Sequence, residues 1–337
     1  MNTTARTPDP GIARATALSR EVLASVGRAV VGKREELELV LAAVLAGGHV
    51  LLEDFPGLGK TLAARSFAQA LGLEFTRAQF TPDLLPGDLT GSFLFDPRRQ
   101  EFSFREGPLF TNLLLADEVN RTPPKTQAAL LEAMQEGQIT VEGTTFPLAR
   151  PFHVIATANP VEHEGTYQLP EAQLDRFLAR LSFGYPDAEE EWSVLDRRIA
   201  RRREEQTVPR AADAADLLAA QEAVETVRVD PSVGRYCVAL AAATRGHRAV
   251  RLGASPRGSL ALVLLARALA VIRGRDYIAP EDVKAVAVPA LAHRISIRPE
   301  LWMTSVTGAD VVREVLSDTP VPLVRSEERR VGKECRS

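Results

Sequence analysis

A glycine-rich turn beside a lysine and a threonine has the clearest chemical meaning in this sequence. The stretch LLEDFPGLGKT, Leu51–Thr61, lies between an apolar run that predicts a buried strand and a segment with apolar residues at helical spacing. Such a turn directs backbone N–H groups at phosphate oxygens. Gly57 and Gly59 allow a close backbone approach, Lys60 reaches the terminal phosphates, and the hydroxyl of Thr61 can ligate Mg²⁺. The sequence therefore predicts a nucleoside triphosphate site with Mg²⁺.

Asp54 departs from the usual GxxxxGKT pattern, in which a glycine stands first. An acidic side chain at this position must point away from phosphates, so we expect its carboxylate to face the protein. The alternative is a helix cap that happens to contain GKT, but the strand before the turn and the helix after it favour the phosphate-binding loop. The predicted nucleotide-binding residues of this loop are Asp54, Pro56, Gly57, Leu58, Gly59, Lys60, Thr61 and Leu62.

Two adjacent acids, Asp117 and Glu118, follow a second apolar run, Leu113–Ala116. The run predicts a buried strand, and the carboxyl ends of parallel strands form the edge at which open sheets bind ligands. We predict that Asp117 ligates Mg²⁺ together with Thr61. Glu118 is predicted to polarise the water that attacks the γ-phosphate. An acidic pair also suits a helix N-cap, but the phosphate-binding loop favours metal chemistry.

A third apolar run, Phe152–Thr157, predicts a strand that ends close to Asn159. We predict that the amide of Asn159 contacts the γ-phosphate or holds the attacking water. The Asn-Pro dipeptide is also a common turn signal, and both functions can coexist. Further along, Pro170 and Glu171 start a predicted helix that ends near Arg176. That arginine is either a surface cation or a group presented to the phosphates of a neighbouring subunit.

Three longer segments carry a family resemblance: LLADEVNRTPPKTQAALLEAMQEGQITVEG, ATANPVEHEGTYQLPEAQLDRF and GASPRGSLAL. They resemble the MoxR branch of the AAA+ ATPases, and the resemblance runs from about Val31 to Val324. It implies an α/β fold: an AAA+ P-loop NTPase core with a parallel sheet between helices, followed by a C-terminal helical lid domain. It also implies the cofactors ATP and Mg²⁺.

The resemblance gives the residues at the predicted sheet edge their family roles. Lys60 and Thr61 resemble the Walker A pair, and Asp54 is familiar in this branch as a variant of the loop. Asp117 and Glu118 resemble the Walker B pair. Asn159 resembles sensor 1.

Two arginines receive roles from the same resemblance. Arg176 resembles the arginine finger that acts across a subunit boundary, and Arg180, one helical turn later, is the alternative. Arg257 in SPRGSL resembles sensor 2. Since an arginine at a helix start is unfavourable against the helix dipole, we expect Arg257 to face an anion. The segment VVGK, with Val31 and Gly32, resembles the one that lies over adenine in AAA+ proteins.

The composition fits a folded ATPase and excludes several other classes. A chain of 337 residues with 45% hydrophobic residues can bury a substantial core and usually forms two domains. The formal charge of −3 argues against broad binding to nucleic acid. The chain start lacks the apolar core of a signal peptide, and with no long apolar run we expect a cytoplasmic protein without a transmembrane segment. Cys237 and Cys335 are too few for a disulfide framework or a metal cluster.

Sequence punctuation predicts two domains. Residues 1–186 form the ATPase core, and Pro186-Asp187 marks the boundary to a helical lid at 187–324. Two hairpin inserts are expected in the core, at about 87–107 and 137–149. From Ala211 onward the chain is rich in alanine and leucine, and we expect helices without strands.

Each insert has its own turn signal. The first alternates phenylalanines around the turn DPRRQ, which predicts one aromatic face, and the second has Gly143 in its turn. In the family these inserts resemble the helix-2 insert and the pre-sensor-1 hairpin, which face the central pore of a ring. At least two of the four phenylalanines are expected to belong to the core, and the DPRR tip is better placed to touch a substrate. The four phenylalanines are Phe93, Phe95, Phe102 and Phe104.

The final segment, RSEERRVGKECRS at 325–337, has no apolar periodicity and does not continue the fold. One reading of its codons resembles a common sequencing adapter. Our hypothesis is that the reading frame runs into adapter sequence and that the native chain stops near Val324; a disordered charged tail is the alternative. Genomic DNA that encodes the same residues would contradict the hypothesis.

The resemblance implies a ring, most often a hexamer, that hydrolyses ATP to remodel or assemble partner proteins or to help them acquire metal. A von Willebrand factor A domain protein is the expected partner, because MoxR-like proteins act with such proteins. Two alternatives stay open: a magnesium-chelatase-like motor subunit, and a nucleotide-switched binding scaffold with little turnover. Glu118 and Arg176 speak against the scaffold, which would need neither.

Overall fold

The structure is a computed structural model. It describes residues 9–98, 100–160, 167, 169–203 and 206–322. The tail at 325–337, and Arg99 of the predicted DPRR tip, lie outside the described residues.

The described residues form helices and short strands that alternate in the first half of the chain. The helices are α1 (Pro10–Ala29), α2 (Arg34–Leu45), α3 (Lys60–Ala70), α4 (Pro86–Thr90), α5 (Pro124–Glu136), α6 (Glu171–Leu174), α7 (Ala188–Arg201), α8 (Ala214–Glu225), α9 (Pro231–Gly246), α10 (Pro256–Ile272), α11 (Pro280–Leu291) and α12 (Gly308–Asp318). The strands are β1 (Val50–Glu53), β2 (Phe75–Gln79), β3 (Gly91–Asp96), β4 (Glu101–Glu106), β5 (Leu113–Asp117), β6 (Gln138–Val141), β7 (Thr144–Pro147), β8 (His153–Ala158), β9 (Ala179–Leu181), β10 (Val250–Leu252) and β11 (Ser296–Ile297).

A parallel sheet with the order β2-β5-β8-β1-β9 forms the centre of the described chain. β1 lies between β8 and β9, so the strand order reverses beside it, and in open α/β sheets ligands bind at such a switch point. We call the side where these strands end the carboxyl edge and the side where they begin the amino edge. The predicted site residues that follow β1, β5 and β8 therefore share the carboxyl edge.

The side chains on the two faces of the sheet belong to two apolar clusters, because successive side chains of a strand point to opposite faces. Val50 and Leu52 of β1 belong to a cluster with α1, α2 and α3, whereas Leu51 belongs to a cluster with α5. Leu113 and Leu114 of β5 divide in the same way. Burial on both faces explains why these strands appear in the sequence as short continuous apolar runs.

The helices α8 to α12 share one continuous apolar cluster with α1, α2 and one face of the sheet. α8 and α10 pack directly on α1, and α10 also packs on α2. The expectation of helices without strands after Ala211 was wrong, because β10 and β11 pair antiparallel. These strands have three and two residues, too few to produce a visible alternation in the sequence.

Among the described helices, none is both long and apolar enough for a membrane crossing.

The first predicted insert contains the hairpin β3–β4, and the aromatic face is confirmed. Phe93 lies opposite Phe104, and Phe95 lies opposite Phe102, so all four side chains project from one face. The inner pair is half-buried, and Phe104 stacks on Phe146 of β7 with ring centroids 4.0 Å apart. The outer pair, Phe95 and Phe102, is exposed. Half of the aromatic face is thus core and half is open surface.

The second insert is the hairpin β6–β7, also as predicted. Its turn residues, Glu142 and Gly143, both have positive φ, at 49° and 81°. This two-residue geometry matches the right-handed twist of the flanking strands, and glycine favours it. Phe146 ties this hairpin to the first one through its stack on Phe104.

Candidate functional site

The predicted phosphate-binding loop joins β1 to α3 at the carboxyl edge. Gly57 and Gly59 adopt φ angles of 84° and 80°, and among the described residues no atom lies within 4 Å of a Cβ built on either one. Space would permit a side chain, so glycine is required here by backbone conformation. The left-handed turn ends at Gly59, and α3 begins at Lys60 with its first N–H groups exposed to the loop.

Lys60 connects the loop to the two acids. Its Nζ donates to the backbone carbonyls of Asp54 at 2.5 Å and Phe55 at 3.1 Å. Burial lowers the pKa of Lys60, and the nearby carboxylates of Asp54, Asp117 and Glu118 act in the opposite direction. The lysine and the predicted Walker B acids therefore lie within electrostatic reach of one another.

The carboxylate of Asp54 is turned away from the loop, as expected for an acid in this position. It is buried and accepts hydrogen bonds from Ser182 Oγ at 2.8 Å and from the backbone nitrogens of Phe183 and Gly184 at 2.5 and 3.2 Å. Asp54 thus fastens the start of the loop to the segment after β9. Its own contribution to the loop is the carbonyl that Lys60 contacts.

The remaining loop residues frame the start of α3. Thr61 is the second residue of that helix and is half-buried, whereas Leu62 is 38% exposed. Pro56 is exposed and Leu58 is half-buried. Thr61 is therefore placed where a first-turn hydroxyl can meet a cation held beside the loop.

Asp117 is held by two donors from neighbouring strands. Thr157 Oγ1 donates to its Oδ1 at 2.6 Å, and Arg77 donates to its Oδ2 through Nη2 at 2.6 Å and Nε at 3.1 Å. An ionised carboxylate has about four lone-pair sites. Asp117 therefore keeps acceptor capacity for a metal ion or a metal-bound water.

Glu118 is fixed both at its backbone and at its carboxylate. It has a left-handed φ of 60°, its N–H donates to Thr157 Oγ1 at 2.8 Å, and its Oε2 accepts from Gln79 at 2.7 Å and from Arg121 at 3.0 Å. A non-glycine residue in this conformation stores strain, which clusters at functional sites. The arrangement holds the carboxylate between the end of β2 and Arg121.

Asn159 follows β8 at the same edge and is buried. Its backbone carbonyl accepts from Asn120 Nδ2 at 3.1 Å. Thr157, two residues earlier, touches both Asp117 and Glu118. The end of β8 and the end of β5 are therefore one connected structure.

Val31 and Gly32 lie in a turn that docks beside the loop. Gly32 has a φ of 65°, which favours glycine, and a Cβ added there would displace the carboxylate of Glu190 in α7. The next residue, Lys33, donates from Nζ to the carbonyl of Tyr185 at 2.9 Å. The Tyr185 ring lies 5.8 Å from the ring of Phe55 in the loop. These contacts place the predicted adenine segment near the phosphate-binding loop.

Arg176 and Arg257 lie together at the other side of the sheet. Both line a cavity of about 290 Å³ whose wall includes Gly47, Gly48 and His49, the residues before β1. Four residues of strand span roughly 13 Å, so the length of β1 separates this cavity from the loop. The structure thus groups Arg176 with Arg257 at the amino edge, apart from Lys60.

The anion that Arg257 faces within the chain is Asp175. Arg257 Nη1 lies 3.9 Å from Asp175 Oδ2. Arg180, the alternative finger, has another position: its Nη1 pairs with Glu53 Oε2 at 3.1 Å, at the carboxyl end of β1. Arg176 and Arg180 therefore serve opposite edges of the sheet.

Sequence reasoning missed the residues that orient the acids. Arg77 and Gln79 project from β2, where period-two alternation in FTRAQ was a usable signal. Thr157 was hidden inside the apolar run that predicts β8. Arg294, described below, contacts Asp175 across 119 residues of sequence, and no local pattern could have revealed it.

The oxygen ligands present suit Mg²⁺. A threonine hydroxyl and a carboxylate, Thr61 and Asp117, flank the loop, and Mg²⁺ usually takes one or two protein ligands with phosphate oxygens and waters completing its shell. Among the described residues, no group of three or more His, Cys, Asp or Glu side chains is arranged to hold a metal. A site that relies on nucleotide phosphates needs no such group.

Comparisons with known proteins place the chain in a family. The profile of the ATPase family associated with various cellular activities (AAA) matches residues 49–179, and the profile of the AAA lid domain matches residues 242–315. The chain is 49% identical to the uncharacterized protein YeaC of Bacillus subtilis, covering 90% of this chain and 95% of that protein. It is 40% identical to the chaperone MoxR1 of Mycobacterium tuberculosis, covering 94% and 85%. A crystal structure of a proposed ATPase from Cytophaga hutchinsonii shares 39% identity and superposes with a TM-score of 0.86 over 93% of this chain and 97% of that one.

Proposed function

This chain belongs to the MoxR family of AAA+ ATPases, and we propose that it works as a ring whose Mg²⁺-dependent ATP hydrolysis remodels partner proteins. One observation supports the proposed ring. The loop and the acids lie at the carboxyl edge, whereas Arg176 and Arg257 line a cavity at the amino edge. A single chain presents the two halves of the site on opposite sides, so a neighbouring copy is needed to join them.

In this proposal the nucleotide binds between the core and the start of the lid. Its adenine lies beside Val31 and Gly32, and its phosphates lie over the N–H groups from Gly57 to Thr61. Lys60 exchanges its contacts with the loop carbonyls for the terminal phosphates. The domain division at residue 186 belongs to the same proposal. It is supported by the start of α7 at Ala188, directly after the proposed boundary, where Glu190 contacts Gly32.

Hydrolysis is assigned to residues at the ends of β5 and β8. Glu118 polarises the attacking water, and Asn159 holds the water or the γ-phosphate. Mg²⁺, when bound by Asp117 and Thr61, neutralises phosphate charge. Thr157 keeps Asp117 and Glu118 in register, because its hydroxyl bonds to both.

Arg176 is assigned as the finger for the neighbouring subunit. The ion pair of Arg180 with Glu53 supports this choice, since it occupies Arg180 at its own carboxyl edge. Arg257 shares the cavity with Arg176, which favours action on the same neighbouring nucleotide. We propose a hexamer, the usual number of subunits that closes such a ring.

The two hairpins are the proposed contacts for a client protein. Phe95 and Phe102 are exposed at the outer end of β3–β4, whereas the inner aromatic residues anchor that hairpin on β7. A von Willebrand factor A domain partner and a cytoplasmic location, where ATP is available, complete the proposal. The charge of −3 gives no support to nucleic acid as a client. A magnesium-chelatase-like motor would use the same ATPase edge, and the gene neighbours distinguish the two.

Subunit mixing tests the proposed ring. Arg176→Ala protein should bind ATP but hydrolyse it about 10²-fold more slowly or worse, since arginine fingers contribute strongly to phosphoryl transfer. Lys60→Ala protein should be inactive because its own loop fails. When the two variants are mixed, a neighbour with intact Arg176 can serve an intact loop, so ATPase activity should reappear. Arg180→Ala is the matched control: mixing it with Lys60→Ala protein should not raise ATPase activity in this way. A strict monomer in light scattering with an ATP analogue, or normal turnover by Arg176→Ala, would contradict the proposal.

A further inference from the structure

One buried arginine, Arg294, joins the lid to the segment that carries Arg176. It lies in the short turn after α11, and only 4% of its side chain is exposed. Its Nε donates to Asp175 Oδ1 at 2.7 Å. Asp175 directly precedes Arg176, so the ion pair acts next to the proposed finger.

The same guanidinium donates hydrogen bonds to backbone carbonyls on both sides of Arg176. Nη2 donates to the carbonyls of Asp175 at 3.3 Å and Phe177 at 2.8 Å, and Nη1 donates to the carbonyl of Leu178 at 3.5 Å. Nη1 also contacts the carbonyl of Ala290 in α11. One side chain thus fixes residues 175–178 to the end of a lid helix.

Asp175 also reaches the start of α10. Ser255, the N-cap of that helix, places its Oγ 3.4 Å from Asp175 Oδ2, and Arg257 places its Nη1 3.9 Å from the same oxygen. Asp175 therefore lies between Arg294 and Arg257. Three arginines line the amino-edge cavity, and two of them, Arg257 and Arg294, flank this carboxylate, while the third, Arg176, directly follows it in the chain.

Burying a cation is a costly way to hold two elements together. Desolvation lowers the pKa of Arg294, and Asp175 acts against this effect. An apolar side chain of similar size would often pack as well, because the desolvation of a buried pair can exceed its attraction. What the guanidinium adds is direction: its fixed fork of donors matches several carbonyls and a carboxylate at once. Arg294 is therefore suited to fix the orientation of the segment that it contacts.

We propose that Arg294 is a positioning residue for hydrolysis in the neighbouring subunit. Through Asp175 and the carbonyls of residues 175–178, it holds Arg176 and Arg257 in one geometry and makes them move with the lid. The inference rests on the proposed function, since it requires Arg176 to act across the subunit boundary. It adds a mechanical link between the lid and the finger.

The test compares two arginines of the lid that pair with a carboxylate, the buried Arg294 and the half-buried Arg275. Arg294→Met removes the fork while keeping an apolar chain of similar length. The matched control is Arg275→Met, because Arg275 pairs at 2.5 Å with the fully buried Asp282 of the same lid, away from residues 175–178. We expect Arg294→Met to lower kcat at least 10-fold with little change in ATP binding, and Arg275→Met to change kcat less than twofold. Arg294→Lys, which keeps the charge but cannot reach several carbonyls, should fall between wild type and Arg294→Met.

Mixing separates a positioning role from a structural one. If Arg294 acts through Arg176, Arg294→Met subunits have a working loop and a misplaced finger, so adding Lys60→Ala subunits should restore activity. In the double variant Arg176→Ala/Arg294→Met, the further loss of kcat should be smaller than the loss that Arg294→Met causes by itself, because only the placement of Arg257 remains to be lost. Circular dichroism and urea unfolding check that each protein is folded, and Arg294→Lys serves if the Met variant is not.

The outcomes distinguish the proposed role of Arg294 from the proposed function on which it rests. Normal hydrolysis by Arg176→Ala would remove the trans finger and both proposals with it. An inactive Arg176→Ala together with a fully active Arg294→Met would overturn only the role of Arg294. So would an inactive Arg294→Met that Lys60→Ala subunits cannot rescue, because the defect would then lie in its own nucleotide site.

Discussion

The two edges of the central sheet are built in different ways. At the carboxyl edge, each functional group ends its strand or follows it closely in sequence: the loop after β1, Asp117 and Glu118 at the end of β5, and Asn159 after β8. At the amino edge, the cavity joins Arg176 of the core to Arg257 and Arg294 of the lid. The nucleotide half of the site is therefore local in sequence, and the arginine half depends on how the lid packs.

The charges of the two edges also differ. Carboxylates, a lysine and helix N–H groups meet at the carboxyl edge, where a phosphate chain with a metal ion would balance them. The amino edge collects arginines around a single carboxylate, Asp175. An edge with an excess of cations is complementary to a neighbour's nucleotide, so the comparison itself favours assembly of like chains.

The largest effect is expected at the carboxyl edge, from Glu118→Gln. The amide keeps the shape and the contact with Arg121 but cannot act as a base, so kcat should fall about 10²-fold or more while ATP binding persists. Lys60→Ala is the contrasting variant, because it should weaken ATP binding itself, about 10-fold or more through loss of a charge-assisted contact. Steady-state hydrolysis and binding of a fluorescent ATP analogue measure the two effects. Unchanged turnover in Glu118→Gln would assign the base elsewhere.

A smaller effect is expected from Thr157→Val, which sharpens the comparison within the carboxyl edge. The valine is nearly isosteric but leaves Asp117 Oδ1 and the N–H of Glu118 without their shared hydroxyl. Small misplacements of catalytic groups are costly, so kcat should fall roughly 10-fold. Thr16→Val is the matched control: Thr16 is also buried, and its hydroxyl donates to the carbonyl of Val271 at 2.7 Å. It should cost about 1 kcal/mol of stability and leave kcat unchanged. Equal kcat losses in the two variants would make Thr157 merely structural.

The difference between the edges also explains what the sequence could predict. Strands β1, β5 and β8 and the loop were predictable because each is a short apolar run with polar residues at its end. The two hairpins were predictable from turn residues such as Gly143. The partners of Arg77 and Arg294 were not predictable, since they lie 40 and 119 positions away and are fixed only by strand order and lid packing.

The two edges also differ in buried histidines, which make the stability of the protein depend on pH. The buried histidines of the described chain lie at the amino edge: His49 precedes β1, His153 begins β8, and His293 contacts the carbonyl of Phe177 before β9. Burial lowers the pKa of His49 to about 4, with His153 as a second cause, and burial lowers the pKa of His153 and His293 as well. These rings are therefore neutral in the folded protein at pH 7.

The sign of the pH effect follows from these directions. Each folded pKa lies below the unfolded value of 6.5, so the unfolded chain binds more protons as the pH falls below 6.5. The stability from the neutral rings is complete above pH 6.5 and is lost between about 6.5 and 4. For His49 alone, the difference corresponds to a loss on the order of 3 kcal/mol by pH 4.

His49→Gln should give the smallest change at neutral pH and a clear one in acid. In the folded protein, His49 Nε2 lies 3.0 Å from the carbonyl of Met134, and its Nδ1 accepts from the N–H of Val154 at 3.0 Å. A glutamine can donate and accept in a similar way but does not titrate, so it should cost about 1 kcal/mol at pH 7.5. Urea unfolding at pH 7.5, 6.5, 5.5 and 4.5 should show a shallower loss of stability in the variant than in wild type. Because all carboxylates are common to both proteins, the difference in slope reports His49. Parallel curves would mean that this ring takes up its proton equally in the folded and unfolded states.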